Sequence, residues 1–399
     1  MPERPKLPIK ELALVWGGNL SSKLMMFVAT IYLANKLEVE GFGIYSTVFA
    51  ITNYISLALF TGLDTYTTRE SAGLREEAVW PFAKKLFKVR QKLGDLAVLI
   101  TAVLALILGR GSRETGMTLI LFGLSFLPLQ ISCVNMFYGL EWPAPIALYF
   151  FGGRVVFLAL VLLFVKDPGG LYMAAGAFTA AILLENLYLF FRLSSRYSKV
   201  AKQGAALPDF KAKPILLLTF LTALLLLHEN LPQLFVFLLK GEEKAGLYAS
   251  SFRLIYTAVT FANLGGFVFL ARFSKGNSDS NYQRSRVYSL VLGIAFAAAG
   301  YFFSDFVYSL LYNDSYAGGA AVMRSGVFQM ALVPLRVLVW QYILANGRLK
   351  KALIPLVLGV LISVGITCWL TAQAGALGAA RGLVIGEAVL TALLLFAGR

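Results

Sequence analysis

Lys23 in GNLSSKLMMFVA and Arg253 in YASSFRLIYTAV are cations set deep inside apolar stretches. An ionisable group at such depth is costly and is kept where it faces a bundle interior or a wet cavity. Each belongs to a polar stripe. Asn19, Ser22 and Lys23 fall at i, i+3 and i+4, on one face of a helix. Asn53, Ser56 and Asp64 share a side of the next apolar run, with Phe60 between them. Thr219, Thr222, Glu229 and Gln233 make a third stripe, and Ser250, Arg253, Thr257 and Thr260 a fourth. The chemistry open to such a set is noncovalent, with cations for an anion and hydroxyls and amides for hydrogen bonds. Glu229 either neutralises Lys23 or Arg253 or takes part in substrate or ion coupling, and Asp64 is read in the same two ways. The four stripes read as the walls of one central aqueous cavity.

The other deep charges carry blander readings. Arg154 and Glu185 fall at similar depths in adjacent helices and read as a structural pair. Arg324 reads as an anchor near the outer surface. Arg336, two residues after Pro334, flanks a kink and reaches a cytoplasmic vestibule, and Glu387 is paired or protonated with no partner to name. His228, the one histidine of the chain, reads as a satisfied packing residue. Enzyme signatures are missing: there is no phosphate-binding loop, and HENLP at 228–232 lacks the second histidine of a zinc helix. Cys133 and Cys368 read as buried fillers, not as a disulfide or metal pair. No catalytic residue, metal or cofactor is expected.

These residues need helices to position them. Hydrophobic residues are 58% of the 399 and mean hydropathy is +0.72, above the ~45–50% apolar usage of soluble domains. A span needs ~20 mostly apolar residues. Twelve are expected, at 13–34, 42–63, 93–109, 117–138, 146–165, 171–191, 215–239, 247–271, 287–303, 320–343, 353–371 and 377–397. The first is of full span length and lacks a small-residue cleavage site, so it is expected to remain in the mature protein. Of the 36 Lys and Arg, 24 lie at the termini and in the connections on their side, and 7 on the other side. Positive-inside bias then places both termini in the cytoplasm. The net charge of +15 is mostly this topogenic, lipid-facing charge. Nucleic acid is not an expected partner, because the basic residues sit in short loops.

The charged connection 192–214 divides the chain into an N-terminal six-helix bundle, 1–191, and a C-terminal one, 215–399, with a cytoplasmic linker between. An offset of 203 lays EGFGIYSTVF (40–49) on EKAGLYASSF (243–252), and RESAG (69–73) on RFSKG (272–276). Each half begins on the same side, so the repeats are parallel. The expected architecture is an all-α polytopic membrane protein of about 12 spans in two six-helix repeats. Transporters commonly rock such halves about a substrate site.

GNLSSKLMMFVATIYLANKLEVEGFGIYS (18–46), GLDTYTTRESAG (62–73) and GEEKAGLYASSFRLI (241–255) resemble the O-antigen-type, polysaccharide-exporter branch of the multidrug/oligosaccharidyl-lipid/polysaccharide flippase superfamily. The resemblance implies a V-shaped pair of bundles, with spans one, two, seven and eight lining the cavity. It implies a polyprenyl-pyrophosphate-linked oligosaccharide as substrate, moved from the cytoplasmic to the outer leaflet by alternating access and driven by an ion gradient. The pyrophosphate would need Lys23 and Arg253; sugars would need Asn19, Asn53, Thr257 and Asn263, with the aromatic faces of Tyr54 and Tyr256. The setting implied is a bacterial or archaeal cytoplasmic membrane, with the chain a monomer among membrane lipids, associated with glycan polymerase or transferases. A cation-coupled multidrug exporter is the nearest rival and would favour an acidic cavity. A membrane glycosyltransferase or polymerase is the rival from another class and would need a larger outer loop than the five to sixteen residues available here.

Overall fold

The computed structural model describes residues 9–202, 207–210, 212–264, 278–346 and 348–397, and among these every regular element is a helix. A chain buried in lipid must satisfy its backbone within each segment, which helices do. Spans one and two run on as α1 (Ile9–Ser71), and span three is the long α2 (Glu76–Leu108). Span four is broken into α3 (Arg113–Gly123), α4 (Phe126–Leu129) and α5 (Val134–Gly139). Then come α6 (Pro143–Phe164), α7 (Leu171–Tyr197), α8 (Ala212–Lys240) and α9 (Glu242–Leu264). The chain continues through α10 (Ser278–Phe302) and α11 (Ser304–Leu311). Span ten is divided between α12 (Gly319–Gly326) and α13 (Gln329–Ala345), and the last two spans join as α14 (Leu349–Ala397). Seven described helices are long and apolar enough to cross a membrane, two of them long enough to do so twice.

Several expected spans change, span ten by its division and two more as follows. Span three was placed at 93–109, but α2 begins at Glu76 and takes in much of the expected basic loop 64–92. Span four was expected to be continuous over 117–138 and is not. Its break frees backbone groups that side chains then satisfy: Arg90 donates to the carbonyl of Leu129, and the Thr179 hydroxyl to that of Leu121 at 2.8 Å.

The chain forms two compact units. One comprises 1–36 and 51–223, the other 37–50 and 224–399. In the first, Leu63, Phe82, Leu86, Phe137, Leu189 and Leu193 pack into a buried core. Its outer face is apolar, with Leu106 73% and Phe191 63% exposed, as a lipid-facing surface requires.

In the second unit, residues 37–50 pack on α9 through matched glycines. A Cβ at Gly43 would strike the carbonyl of Glu242, and one at Gly246 the carbonyl of Val39. Small residues allow this close backbone approach. The offset of 203 pairs these two glycines, and it also pairs Glu38 (φ 58°), where α1 breaks, with Gly241 (φ 85°), between α8 and α9. At the break in α1 the Tyr316 phenol donates to the Glu38 carbonyl at 3.2 Å. α14 breaks at Gly375 (φ 59°), a conformation glycine adopts at little cost.

Candidate functional site: charge clusters and deep cations

In the first unit, α2 buries a continuous stripe through Val79, Phe82, Leu86, Arg90, Gly94 and Ala97. Arg90 is 2% exposed, so its guanidinium needs partners inside the fold. It pairs with Asp64 near the end of α1, stands 5.5 Å from the Phe60 ring, and caps the Leu129 carbonyl. Asn135 adds a hydrogen bond to the Asp64 carboxylate. The expected cytoplasmic loop cation is therefore a buried structural one, and Asp64 is committed to it.

Arg154 on α6 and Glu185 on α7 approach to 3.9 Å. Glu185 is buried, and a Cβ at Gly153 would collide with its carboxylate, so only glycine leaves it room. Tyr149, on α6, is the neighbour that can hydrogen-bond this carboxylate. The contact is a loose charge pairing.

The second unit holds a denser cluster. Arg336 on α13 donates through Nε to Glu387 on α14 and through Nη2 to Glu229 on α8. His228 Nε2 lies 2.8 Å from the other oxygen of Glu387. His228, Glu387 and Arg336 are buried, while Glu229 keeps some exposure. Two of the helices carry a proline beside the charges. Pro232 removes the N–H that would meet the carbonyl of His228, and Pro334 precedes Arg336 by two residues.

Two readings are thereby revised and a third is filled in. Glu229 pairs with Arg336, not with Lys23 or Arg253. Arg336 is the buried centre of a cluster instead of a vestibule residue, and Glu387 has named partners. His228 is half satisfied: Nδ1 is buried with no hydrogen-bond partner among the described residues. No group of three or more His, Cys, Asp or Glu placed to hold a metal occurs among the described residues. Arg336 occupies the space between the two carboxylates.

The candidate ligand-binding residues have a different character. Lys23 is exposed on α1 and, among the described residues, pairs with no carboxylate. Arg253 on α9 is half-buried among the phenols of Tyr45, Tyr256 and Tyr312, likewise with no carboxylate partner among the described residues. Tyr248, Phe252 and Tyr256 stack along α9 with centroids 5.8 Å apart at each step. Asn53 is half-buried. The Thr257 hydroxyl donates to the carbonyl of Arg253 at 2.8 Å, leaving only its acceptor capacity for a ligand. The side chains of Asn19, Thr222 and Asn263 lie outside the described residues. Cys133 is buried and free, and Cys368 is half-buried and free. Arg324 pairs with Asp305 and with the Ser304 hydroxyl.

Known proteins share this architecture. The lipid II flippase MurJ, in an inward closed conformation, matches with a TM-score of 0.74 at 13% identity, over 96% of this chain and 87% of that one. An inward-facing multidrug resistance MATE family transporter of the MOP superfamily matches with a TM-score of 0.68 at 16% identity, over 95% and 94% of the two chains. These likenesses establish the fold. In sequence, the EPS I polysaccharide export inner membrane protein EpsE of Ralstonia nicotianae is 24% identical over 359 residues, 83% of this chain and 80% of that protein. The model of a family described as polysaccharide biosynthesis protein matches residues 9–216, through the whole stretch that carries Lys23, Asp64, Arg90 and the Arg154–Glu185 pair. That match covers more than half of the 399 residues, and the chain belongs to the polysaccharide biosynthesis protein family.

Proposed function

We propose that this protein is a flippase that moves a polyprenyl-pyrophosphate-linked oligosaccharide from the cytoplasmic to the outer leaflet by alternating access, driven by an ion gradient. It acts as a monomer in the cytoplasmic membrane with both termini inside, associated with glycan polymerase or transferases. The family, a relative named for polysaccharide export and the fold of a lipid II flippase support the reading. Two six-span halves, 1–191 and 215–399, are the moving parts of this proposal. The breaks at Glu38 and Gly241, matched at the repeat offset, support their parallel relation.

The observation that carries the substrate class is the division among deep cations. Arg90, Arg154 and Arg336 each face a carboxylate. Lys23 and Arg253 face none among the described residues and keep their charge for a ligand. A pyrophosphate head group supplies the missing anion, and each cation offers it charge-assisted hydrogen bonds. The stacked face ending at the exposed Tyr256 suits a sugar ring. A drug exporter for cationic compounds would need an uncommitted acid, yet Glu229 and Asp64 are both held by arginines.

The test is Lys23→Ala and Arg253→Ala, each with membrane abundance measured alongside export. Losing one charge-assisted contact costs ~1.5–3 kcal/mol, roughly a 10- to 150-fold loss in affinity. Lipid-linked oligosaccharide should accumulate on the inner leaflet while insertion stays normal, and Lys23→Arg should retain more activity than Lys23→Ala. Full export by the double variant at wild-type abundance would refute the head-group assignment.

A further inference from the structure

We infer that Arg192 and Arg196, over the ring of Trp142, form a binding site for the headgroup phosphate of an anionic glycerophospholipid. The floor of the site is fixed by the turn that follows α5. There the Glu141 amide donates to the Tyr138 carbonyl at 3.2 Å, and the Trp142 amide to that of Phe137 at 3.0 Å. The Trp142 indole lies against buried Phe137 with ring centroids 5.1 Å apart, and meets Tyr197 edge-on at 6.4 Å. Two guanidiniums stand over this one ring, Arg196 at 4.5 Å and Arg192 at 5.4 Å from its centroid. They are four residues apart on α7 and so share a helix face. The π-face of the indole attracts each of them.

Two like charges are thereby held close together with no acid between them. Other cations of the first unit are committed: Lys202 pairs with Glu77 at 2.7 Å, Lys85 with Asp209 at 2.9 Å, and Arg90 with Asp64. Arg192 and Arg196 are exposed and make no ion pair among the described residues. Glu76, whose charge reaches Tyr197, joins neither of them. A bound anion relieves the repulsion. A phosphate does so with charge-assisted hydrogen bonds from planar guanidiniums.

The depth of the site selects the anion. Along α7 the exposed side chains are Tyr172, Met173, Leu183, Leu184 and Phe191, and then Arg192, Ser195 and Arg196. The change from apolar to polar between Phe191 and Arg192 marks the headgroup level, where tryptophans also concentrate. A phospholipid places its phosphate at this level and its chains along Leu184 and Phe191. Two arginines outnumber one phosphodiester, so a headgroup that adds an ammonium is disfavoured against one that is net anionic. The orientation proposed above puts the site in the cytoplasmic leaflet. Only the leaflet is taken from that reading, and the binding is measured without transport, so either can fail alone.

Trp142 is itself the probe. The full chain carries five tryptophans, and a variant keeps Trp142 with the others replaced by Phe. It is placed in phosphatidylcholine nanodiscs doped with phosphatidylglycerol brominated on its chains, since bromine quenches an indole it touches. Emission should fall further than with brominated phosphatidylcholine at the same mole fraction, and the excess should shrink as salt rises. Arg192→Gln with Arg196→Gln should abolish the excess, a roughly tenfold or greater loss of relative lipid affinity. Lysine at both positions should retain part of it. Should the variant with one tryptophan fail to fold, native mass spectrometry of the wild-type chain and the glutamine double variant counts retained phosphatidylglycerol, and the double variant should hold one fewer. Equal quenching by the two lipids overturns the inference. So does a phosphatidylglycerol preference, by either method, that the glutamine double variant keeps. Displacement of phosphatidylglycerol by an equimolar polyprenyl pyrophosphate would assign the site to the cargo and overturn it as well.

Discussion

The two units bury charge by different rules. In the first, each deep arginine has one acid: Arg90 with Asp64, and Arg154 with Glu185. In the second, one arginine serves two carboxylates and a histidine, while Arg253 stands without an acid partner among the described residues. A balanced pair has no charge left to change and is suited to holding helices together. An unbalanced cluster beside an uncommitted cation has charge available for a ligand. The first unit therefore holds its deep charge in matched pairs, and the second in an uneven set.

The largest effect expected from this contrast is that of Arg336→Leu. It strands two buried carboxylates, and breaking a buried pair costs about 3–5 kcal/mol. Membrane abundance and thermal unfolding in nanodiscs should both fall sharply, with Arg336→Lys intermediate, because a lysine cannot reproduce the two-sided guanidinium contact. Arg90→Leu comes next, at about 1–3 kcal/mol. It strands only Asp64, which keeps a third of its side chain exposed and a hydrogen bond from Asn135. Equal losses from the two substitutions would erase the distinction between the units.

Arg154→Gln should be milder still, below about 1 kcal/mol. The 3.9 Å contact is long, and Tyr149 remains beside Glu185 as a hydrogen-bonding neighbour. A loss as large as that from Arg90→Leu would show the pair to be tighter than its geometry. The smallest effect belongs to Glu77, in the exposed first turn of α2, and Lys202, 2.7 Å apart. The hydrogen bond from Lys202 lowers the Glu77 carboxyl below its ordinary value. Its contribution is thus present above the unfolded-state value and lost as pH falls through the lowered one. Glu77→Gln should leave thermal unfolding at neutral pH unchanged within error, as expected of an exposed ion pair.

The sequence made parts of this arrangement legible and hid others for identifiable reasons. The apolar runs locate the helices well, because span-forming hydropathy is a sum over neighbouring residues. Arg90 was hidden because seven basic residues in 64–92 read as one loop. The helical spacing of Val79, Phe82, Leu86 and Arg90 was the signal that could have placed it inside. The repeat register was readable at Gly43 and Gly246, and the structure adds that these glycines bring their own helices together. Glu229 was read, on its stripe alone, as either the partner of Lys23 or Arg253 or a group in substrate or ion coupling, and a stripe says which face a residue is on but not what lies opposite. Pro232 and Pro334, both visible in the chain, marked the helices where the charge cluster forms.

By itself the sequence determined that these segments are helical, that they lie in lipid, and that a few ionisable residues are deep enough to need a reason. Those properties depend on local composition and on a backbone that must pair with itself. Which acid meets which base was decided only by the tertiary structure. His228 meets Glu387 across 159 positions and Arg336 meets Glu229 across 107. Coulombic energy in a low-dielectric interior depends on separation in space, and that separation exists only once the helices have packed.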